Sequence, residues 1–303
     1  MTLSESSAAR ISLLVDVARR QGSLISLREL LPLLNERTTE AELAEAFDTF
    51  PVLGSKFELK SGYVTAKSSA VREALLNKER GNRKVAARNL SYAAQFMPLI
   101  RSSPFRMVAV SGSTSYMSSS QSRDLDLFCV APRGRMWFSL AQALLLARVF
   151  NLTRSAAPQL CLSCVMDQDY AESIFANEQD ALFARDALAS VVLMGRDTYG
   201  SLLRSASWIQ SLYPGAYSLR SRQVSPTTAP QRWARSYELV LDRFLYVVVG
   251  SFIKMKAFIL NRKLAGRQRR EGVFRIRAGY DHLIYESARY AGLRAAYAAV
   301  RAE

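Results

Sequence analysis

Histidine and cysteine are scarce in this sequence of 303 residues, which contains only His282 and the cysteines Cys129, Cys161 and Cys164. A single histidine leaves almost no material for a histidine-rich metal site or for serine–histidine catalysis. Three cysteines provide no disulfide framework and fit a reducing compartment. Cys161 and Cys164 have the spacing of half a zinc site, but residues three apart on a strand point to opposite faces. We therefore interpret both as buried strand cysteines.

Membrane-targeting features are also sparse. The N-terminus lacks the basic start and long apolar run of a signal peptide. The most membrane-like run is Phe244 to Ile253, about half of the ~20 residues that span a bilayer. We expect a buried helix at this run, no transmembrane segment, and a cytoplasmic protein.

Acidic residues are outnumbered, 26 against 41 lysines and arginines, giving a formal net charge of +15. Such an excess indicates an anionic partner, namely nucleic acid, an acidic membrane surface or polyphosphate, although a solvated basic surface has the same composition. Residues 1–66 carry seven basic and nine acidic side chains, whereas residues 254–303 carry twelve and four. An anion-binding surface is therefore expected in the later part of the chain, where Lys263 to Arg277 is a basic run.

The N-terminal part, residues 1–67, has the element order of a winged helix. We predict helices at 9–20, 26–34 and 39–47, the first stopped by Gly22, and then a hairpin at 56–66 that turns at 60–62. The third predicted helix, which opens with a Thr39–Glu42 capping box, is acidic. Because phosphate contact requires the opposite charge, we expect this unit to contact its own protein or a protein partner rather than DNA.

An α/β (α+β) core with its preceding helix is predicted over 68–200, followed by a basic helical region over 201–303. The predicted helices are 69–100, with a possible break at Gly81-Asn82, then 114–121, 137–150, several over 180–213, and 232–303. The predicted strands are 106–111, 125–131 and 160–166. A loop is predicted at 214–230.

The residues with recognisable chemistry lie at the first two of these strands. One strand ends in Gly112-Ser113, and the next begins with Asp124 and Asp126. Glycine permits close approach of a ligand, and a helix that starts at Ser113 directs free N–H groups at an anion. Residues two apart on a strand share a face, so the two carboxylates converge and predict a Mg²⁺ site completed by phosphate oxygens and water.

Gly112-Ser113, ten intervening residues and Asp124-x-Asp126 resemble the GS-x10-DxD signature of the DNA polymerase β-like nucleotidyltransferase superfamily. The resemblance extends over roughly residues 100–215 and is most specific in its first third. It implies that Ser113 contacts the triphosphate of a nucleoside triphosphate substrate and that Asp124 and Asp126 bind Mg²⁺ or Mn²⁺. It also implies transfer of a nucleoside monophosphate to an acceptor hydroxyl on a protein, nucleic acid or small molecule.

One departure from the family concerns the third carboxylate, which active members usually carry on the next strand. That strand, residues 160–166, contains no acid, and Asp167 just beyond it is the nearest candidate. A catalytically degenerate nucleotide-binding or scaffold protein is therefore one alternative, and a basic nucleic-acid-binding protein is another. Arg133, Arg135 and Lys254 are further candidates for phosphate contacts.

Overall fold

The computed structural model describes residues 4–20, 23–36, 38–67, 72–101, 103–119, 124–154, 157–223, 236–266 and 274–298. Within these ranges the chain is a mixed α/β protein with a small sheet near its N-terminus and a larger sheet in the centre. The predicted α/β class is confirmed at this level.

The N-terminal unit contains helices around a three-stranded antiparallel sheet of order β1–β3–β2. Its elements are α1 (Glu5–Arg20), β1 (Ile25–Ser26), α2 (Leu27–Leu30), a 3₁₀ turn (Leu31–Leu33), α3 (Glu40–Thr49), α4 (Pro51–Gly54), β2 (Phe57–Lys60) and β3 (Tyr63–Ala66). The predicted capping box is confirmed, because the Glu42 amide donates to the Thr39 side chain while the Thr39 amide donates to the Glu42 carboxylate at 2.7 Å. The hairpin is also confirmed, and its turn residues Ser61 and Gly62 have φ values of 53° and 77°. Gly22 lies outside the described residues.

Helix α5 (Arg72–Ile100) connects the N-terminal unit to the centre of the protein without interruption. The predicted break at Gly81-Asn82 is therefore wrong. Tertiary contacts on either side of the glycine hold the helix: Glu79 accepts from the Leu24 amide at 3.1 Å, and Arg83 pairs with Glu29 at 2.6 Å. Such contacts outweigh the helix penalty of one glycine, about 1 kcal/mol.

The central sheet has six strands in the order β7–β4–β5–β6–β9–β8. The strands are β4 (Met107–Val110), β5 (Asp124–Ala131), β6 (Gln159–Asp167), β7 (Val191–Met194), β8 (Phe274–Ala278) and β9 (His282–Ser287). The helices around them are α6 (Gly112–Ser115), α7 (Met136–Thr153), α8 (Gln168–Asn177), α9 (Ala181–Ala189), α10 (Arg196–Ser205), α11 (Ser207–Leu212), α12 (Pro214–Ser221), α13 (Ser236–Gly266) and α14 (Ala288–Ala298). Only β5 and β6 pair in parallel, and the other neighbours are antiparallel.

The region after residue 190 differs from the prediction. β7 and the β8–β9 hairpin occur where only helices were expected, and α12 replaces the first part of the predicted 214–230 loop, whose residues 224–230 lie outside the description. Pro214 suits a helix start, because proline is favoured in the first turn and tolerated there without its N–H. In β8, arginines alternate with apolar residues, a pattern typical of a strand. The prediction from the sequence rested on the positive charge of these arginines alone.

The two faces of the central sheet pack into two hydrophobic clusters. Met107 and Ala109 of β4 face a cluster with the N-terminal unit and helices α8 to α12, whereas Val108 and Val110 face a cluster with α5, α7 and α13. Arg10 of α1 donates to the Leu212 carbonyl at 2.5 Å across the first cluster. The N-terminal unit is thus packed on its own chain, as we expected.

Helix α13 does not fit the predicted buried helix at Phe244 to Ile253. Phe244 is 61% exposed and Val247 is 62% exposed, while Ile253 is buried, so this prediction is wrong. By length and composition alone, Met136–Thr153 and Tyr237–Leu264 are helices that could cross a membrane, a property that core helices of other proteins share. In the most apolar 18-residue stretch of Tyr237–Leu264, only 17% of the residues are buried.

Candidate functional site

The candidate site lies at the edge of the sheet where β4 ends and β5 begins. Antiparallel pairing sets Val110 opposite Leu127, so Gly112 and Asp126 meet at this edge. The Ser111 amide donates to the Asp126 carbonyl at 3.0 Å. Gly112 has φ 63°, and a Cβ on it would lie 2.7 Å from Oδ2 of Asp126. The Asp126 carboxylate therefore lies directly against the glycine, as the motif predicts.

Asp124 and Asp126 alternate with the buried Leu125 and Leu127, so the two carboxylates share one face of β5. Asp124 is exposed and Asp126 is half-buried. Burial, and then the charge of Asp124, raise the pKa of Asp126, although hydrogen bonds to other side chains oppose the rise. The ionised pair therefore repels itself, and a bound cation would relieve the repulsion.

Strand β6 places uncharged side chains beside Asp126. Cys161 is its register partner, and both Cys161 and Ser163 hydrogen-bond to the carboxylate. Burial, and then the charge of Asp126, raise the pKa of the Cys161 thiol to about 12. At neutral pH this group is therefore a thiol rather than a thiolate, and it adds no negative charge to the site.

A β-bulge in β6 places Cys161 and Cys164 on the same face of the strand. Asp126 pairs with Cys161, and Phe128 pairs with Cys164, so β6 carries one more residue than β5 between these pairs. Because Asp126 and Phe128 share a face, their partners also share a face. The predicted opposite orientation of Cys161 and Cys164 is wrong for this reason, and both are half-buried rather than fully buried.

Asp167, our candidate for a third catalytic carboxylate, lies at the other end of the strands. It pairs with Ala131, five residues along β5 from Asp126, which corresponds to roughly 16 Å at the rise of a strand. Its carboxylate caps α8 by accepting from the Tyr170 amide at 2.9 Å. The structure therefore does not bring Asp167 to Asp126, and the expectation that it completes the acidic site is corrected.

The predicted arginine contacts also lie away from the Gly112 edge. Arg133 pairs with Asp169 at 2.7 Å and with Glu172 at 3.2 Å, beyond the far end of β5. Arg135 is buried and pairs with Glu238 of α13 at 2.8 Å. Both arginines therefore pair with acids of the same chain, and neither is placed to contact a phosphate at Gly112.

The remaining predicted contacts are exposed. Ser113 is exposed on α6, and its carbonyl accepts from the Ser118 amide at 2.9 Å. Lys254 on α13 lies 6.0 Å from the ring centre of Tyr246. Lys256, also exposed, contributes to the electrostatic field at Cys161 and thus lies within range of the acidic site. Of the two lysines, the structure associates Lys256 with the site.

Cys161 and Ser163 are the site residues that sequence reasoning missed. Their signal was present in the sequence, because the GS-x10-DxD proteins that the motif resembles carry a third carboxylate on the corresponding strand, where this chain has Cys161 and Ser163.

The two carboxylates of this site would bind a divalent cation only together with further ligands from outside the chain, such as phosphate oxygens and water. Across the described ranges of the chain, no group of three or more histidine, cysteine, aspartate or glutamate side chains is positioned to hold a metal. Two carboxylates with oxygen ligands from phosphate and water are a usual coordination set for Mg²⁺.

Comparison with family models, with curated proteins and with solved structures finds no match to this chain.

Proposed function

We propose that this chain is a Mg²⁺-dependent nucleotidyltransferase that binds a nucleoside triphosphate at the Gly112 edge of the central sheet. The observation that carries the proposal is the contact between Gly112 and Asp126, with Asp124 on the same face. An L-residue with φ near +60° is uncommon, and a side chain at position 112 would meet the carboxylate. The glycine therefore lets the Asp126 carboxylate lie against the backbone at the start of α6, where a metal held by the two acids would be next to the Gly112 and Ser113 N–H groups.

Different groups at this edge would bind the metal and the phosphates. Asp124 and Asp126 would hold the metal, and the backbone N–H groups at Gly112 and Ser113 would bind phosphate oxygens. When bound, the metal neutralises charge on the triphosphate during displacement of pyrophosphate. Positioning and charge neutralisation are the main requirements of such transfer, so the protein need not supply covalent chemistry. Mn²⁺ suits the same oxygen ligands.

The N-terminal unit is, in this proposal, a winged helix that serves protein contact rather than DNA binding. Its helices α1 to α3, with the short α4 before a β2–β3 hairpin as the wing, support this assignment. The exposed part of α3 carries Glu40, Glu45 and Asp48, which would repel phosphate. The unit already packs on its own chain through Arg10, and a further protein partner remains a prediction.

A second candidate function is nucleotide binding without transfer. The observation that favours it is Cys161, a neutral thiol beside Asp126 where the family carries a carboxylate. Without that group, no described side chain beside Asp126 is an evident base for the acceptor hydroxyl. The chain would then act as a nucleotide sensor or scaffold.

Calorimetric titration of the full chain with the Mg²⁺ complexes of ATP, GTP, CTP and UTP tests binding. We expect at least one complex to bind, and Asp126→Asn to weaken that binding by at least tenfold because it removes a charged ligand. Asp48→Asn, an exposed carboxylate on α3, is the matched control and should bind like wild type. If none of the four complexes binds, or if Asp126→Asn binds equally well, the proposal is wrong.

Pyrophosphate release separates transfer from binding alone. The wild-type chain and Cys161→Asp are incubated with the bound nucleotide and Mg²⁺ or Mn²⁺, with protein, RNA and glycerol hydroxyls as acceptors. Acceptor-dependent pyrophosphate release by wild type supports the transferase. Release by Cys161→Asp alone would favour the second candidate, because the added carboxylate would restore the missing function.

A further inference from the structure

Helix α13 exposes a long apolar stripe. Twelve large apolar side chains of this helix are at least 37% exposed, among them Val240 at 70%, Phe258 at 66% and Val247 at 62%. At 3.6 residues per turn, ten of the twelve lie on one side of the helix and form the stripe: Tyr237, Val240, Leu241, Phe244, Val247, Val248, Phe252, Met255, Phe258 and Ile259. From residue 237 to residue 259 it extends roughly 33 Å along the helix axis. A continuous apolar surface of this kind marks a site of interaction with protein or membrane.

The opposite side of α13 is fixed to the protein. Tyr246 packs on Trp137 with ring centres 5.2 Å apart, and Gly250 approaches the same indole. Asp242 accepts from the Phe138 amide at 2.7 Å, and Ile253 is buried. A helix anchored in this way presents only one side to a partner. It therefore suits a surface on which it lies flat, rather than an environment that surrounds it.

The exposed charges of α13 all have the same sign. Its two acids, Glu238 and Asp242, are buried. The exposed charged residues of the helix are Arg243, Lys254, Lys256, Arg262 and Lys263. At 3.6 residues per turn, Arg243 and Lys254 fall about 100° to one side of the middle of the stripe, and Lys256 and Lys263 fall about 100° to the other. Cations therefore border the apolar stripe on both sides, and Arg262 lies in line with the stripe just beyond its C-terminal end.

We infer that α13 docks this protein onto an anionic phospholipid surface, with the apolar stripe in the interface and the flanking cations on the headgroups. A basic amphipathic helix of this design lies in the membrane plane, and each lysine or arginine near an anionic surface strengthens attachment. A second copy of the chain is a poorer occupant, because facing stripes would bring two sets of cations together without acids from this helix to pair with them. This inference goes beyond the proposed function and does not depend on it.

Helix α7, which packs against α13 through Trp137, also exposes apolar side chains. Leu145 is 66% exposed and Leu152 is 73% exposed, and Val149 lies between them at 45%.

Vesicle sedimentation of the full chain tests the inference. Vesicles of phosphatidylcholine containing 30% phosphatidylserine should sediment the protein, vesicles of phosphatidylcholine alone should sediment much less, and added salt should release it. Arg262→Gln with Lys263→Gln should weaken binding about 25-fold, since one basic residue near the surface contributes about five-fold. Equal binding to both vesicle types, or no binding to either, would overturn the inference.

Substitutions in the stripe test its part in the contact. Val247→Glu with Phe258→Glu should abolish sedimentation with the anionic vesicles while far-UV circular dichroism remains unchanged, since both side chains are exposed. Val52→Glu is the control, because Val52 is an apolar residue of the N-terminal unit that is 52% exposed. Light scattering measures the oligomeric state. If the wild type is a dimer that does not bind vesicles, and Val247→Glu with Phe258→Glu converts it to a monomer, the stripe binds a second copy and the inference is wrong. Resistance of vesicle-bound protein to alkaline extraction would overturn the in-plane arrangement.

Discussion

Asp126→Asn is expected to stabilise the protein when no metal is present and to reduce its stabilisation by a nucleotide. In the folded chain the Asp126 carboxylate is half-buried and lies on the same face as Asp124, and both features raise its pKa. An asparagine has nearly the same shape and no charge. The substitution therefore removes the repulsion while preserving the packing against Gly112.

The size of the effect follows from the geometry of β5. Residues two apart on a strand are roughly 7 Å apart, and two unit charges at that distance repel by about 0.6 kcal/mol in bulk water and about 2.4 kcal/mol at an effective dielectric constant of 20. Because Asp124 is exposed and screened by solvent, we expect a gain of about 1 kcal/mol. For a chain of this size, that corresponds to a rise of roughly 2 °C in Tm.

The gain should depend on pH in a definite direction. Asp126 has a folded-state pKa above its ordinary value of 3.8, so wild type loses stability as the pH rises through this raised pKa. Below about pH 4 the carboxyl is protonated in the unfolded state as well, and the difference between variant and wild type should vanish. At neutral pH the difference should be at its full value.

Thermal unfolding monitored by circular dichroism, with and without Mg²⁺ and the nucleotide that binds, provides the assay. Without ligand, Asp126→Asn should melt above wild type; with nucleotide at 100 times its Kd, wild type should gain about 2.7 kcal/mol and melt above the variant. Asp48→Asn should follow wild type in both conditions. A variant that melts at or below wild type without ligand at pH 7.5 would refute the electrostatic reasoning.

Two other substitutions test the site and its surroundings. Gly112→Ala should lower the free energy of unfolding by about 1–3 kcal/mol, measured by urea denaturation, because its φ of 63° is strained for alanine and its Cβ would meet Asp126; a neutral effect would show that the contact is absent. Arg135→Ala should cost about 3–5 kcal/mol, because it removes the buried guanidinium that pairs with Glu238, whereas Arg133→Ala, from an exposed pair, should cost at most about 1 kcal/mol. Equal losses for the two arginines would contradict the burial argument.

Local sequence patterns predicted the elements that form the site. Gly112 after an apolar run, and acids alternating with Leu125 and Leu127, specify a turn and a one-sided strand without reference to the rest of the chain. The meeting of Gly112 and Asp126 also followed, because a chain that reverses between adjacent strands brings the end of one to the start of the next. The nucleotide-binding role remains a prediction.

Features that depend on distant parts of the chain were not predictable in this way. The bulge that places Cys161 and Cys164 on one face is a property of the register between β5 and β6, and the sequence of β6 alone does not show an extra residue. The distance of Asp167, in contrast, follows from the predicted order of elements, because strands joined by a crossover helix run parallel and the end of β6 then lies beside the end of β5. The exposure of α13 was missed because an apolar run has the same composition whether protein or another surface covers it.

The β8–β9 hairpin has a consequence for how the protein is made. Its strand β9 pairs with β6, so a central strand of the finished sheet depends on residues more than one hundred positions later in the chain. Until a ribosome has delivered those residues, β6 presents unpaired backbone groups of the kind that recruit foreign strands. Pairings over such sequence separations form slowly, and we therefore expect nascent chains that stop before β8 to aggregate and to require chaperones.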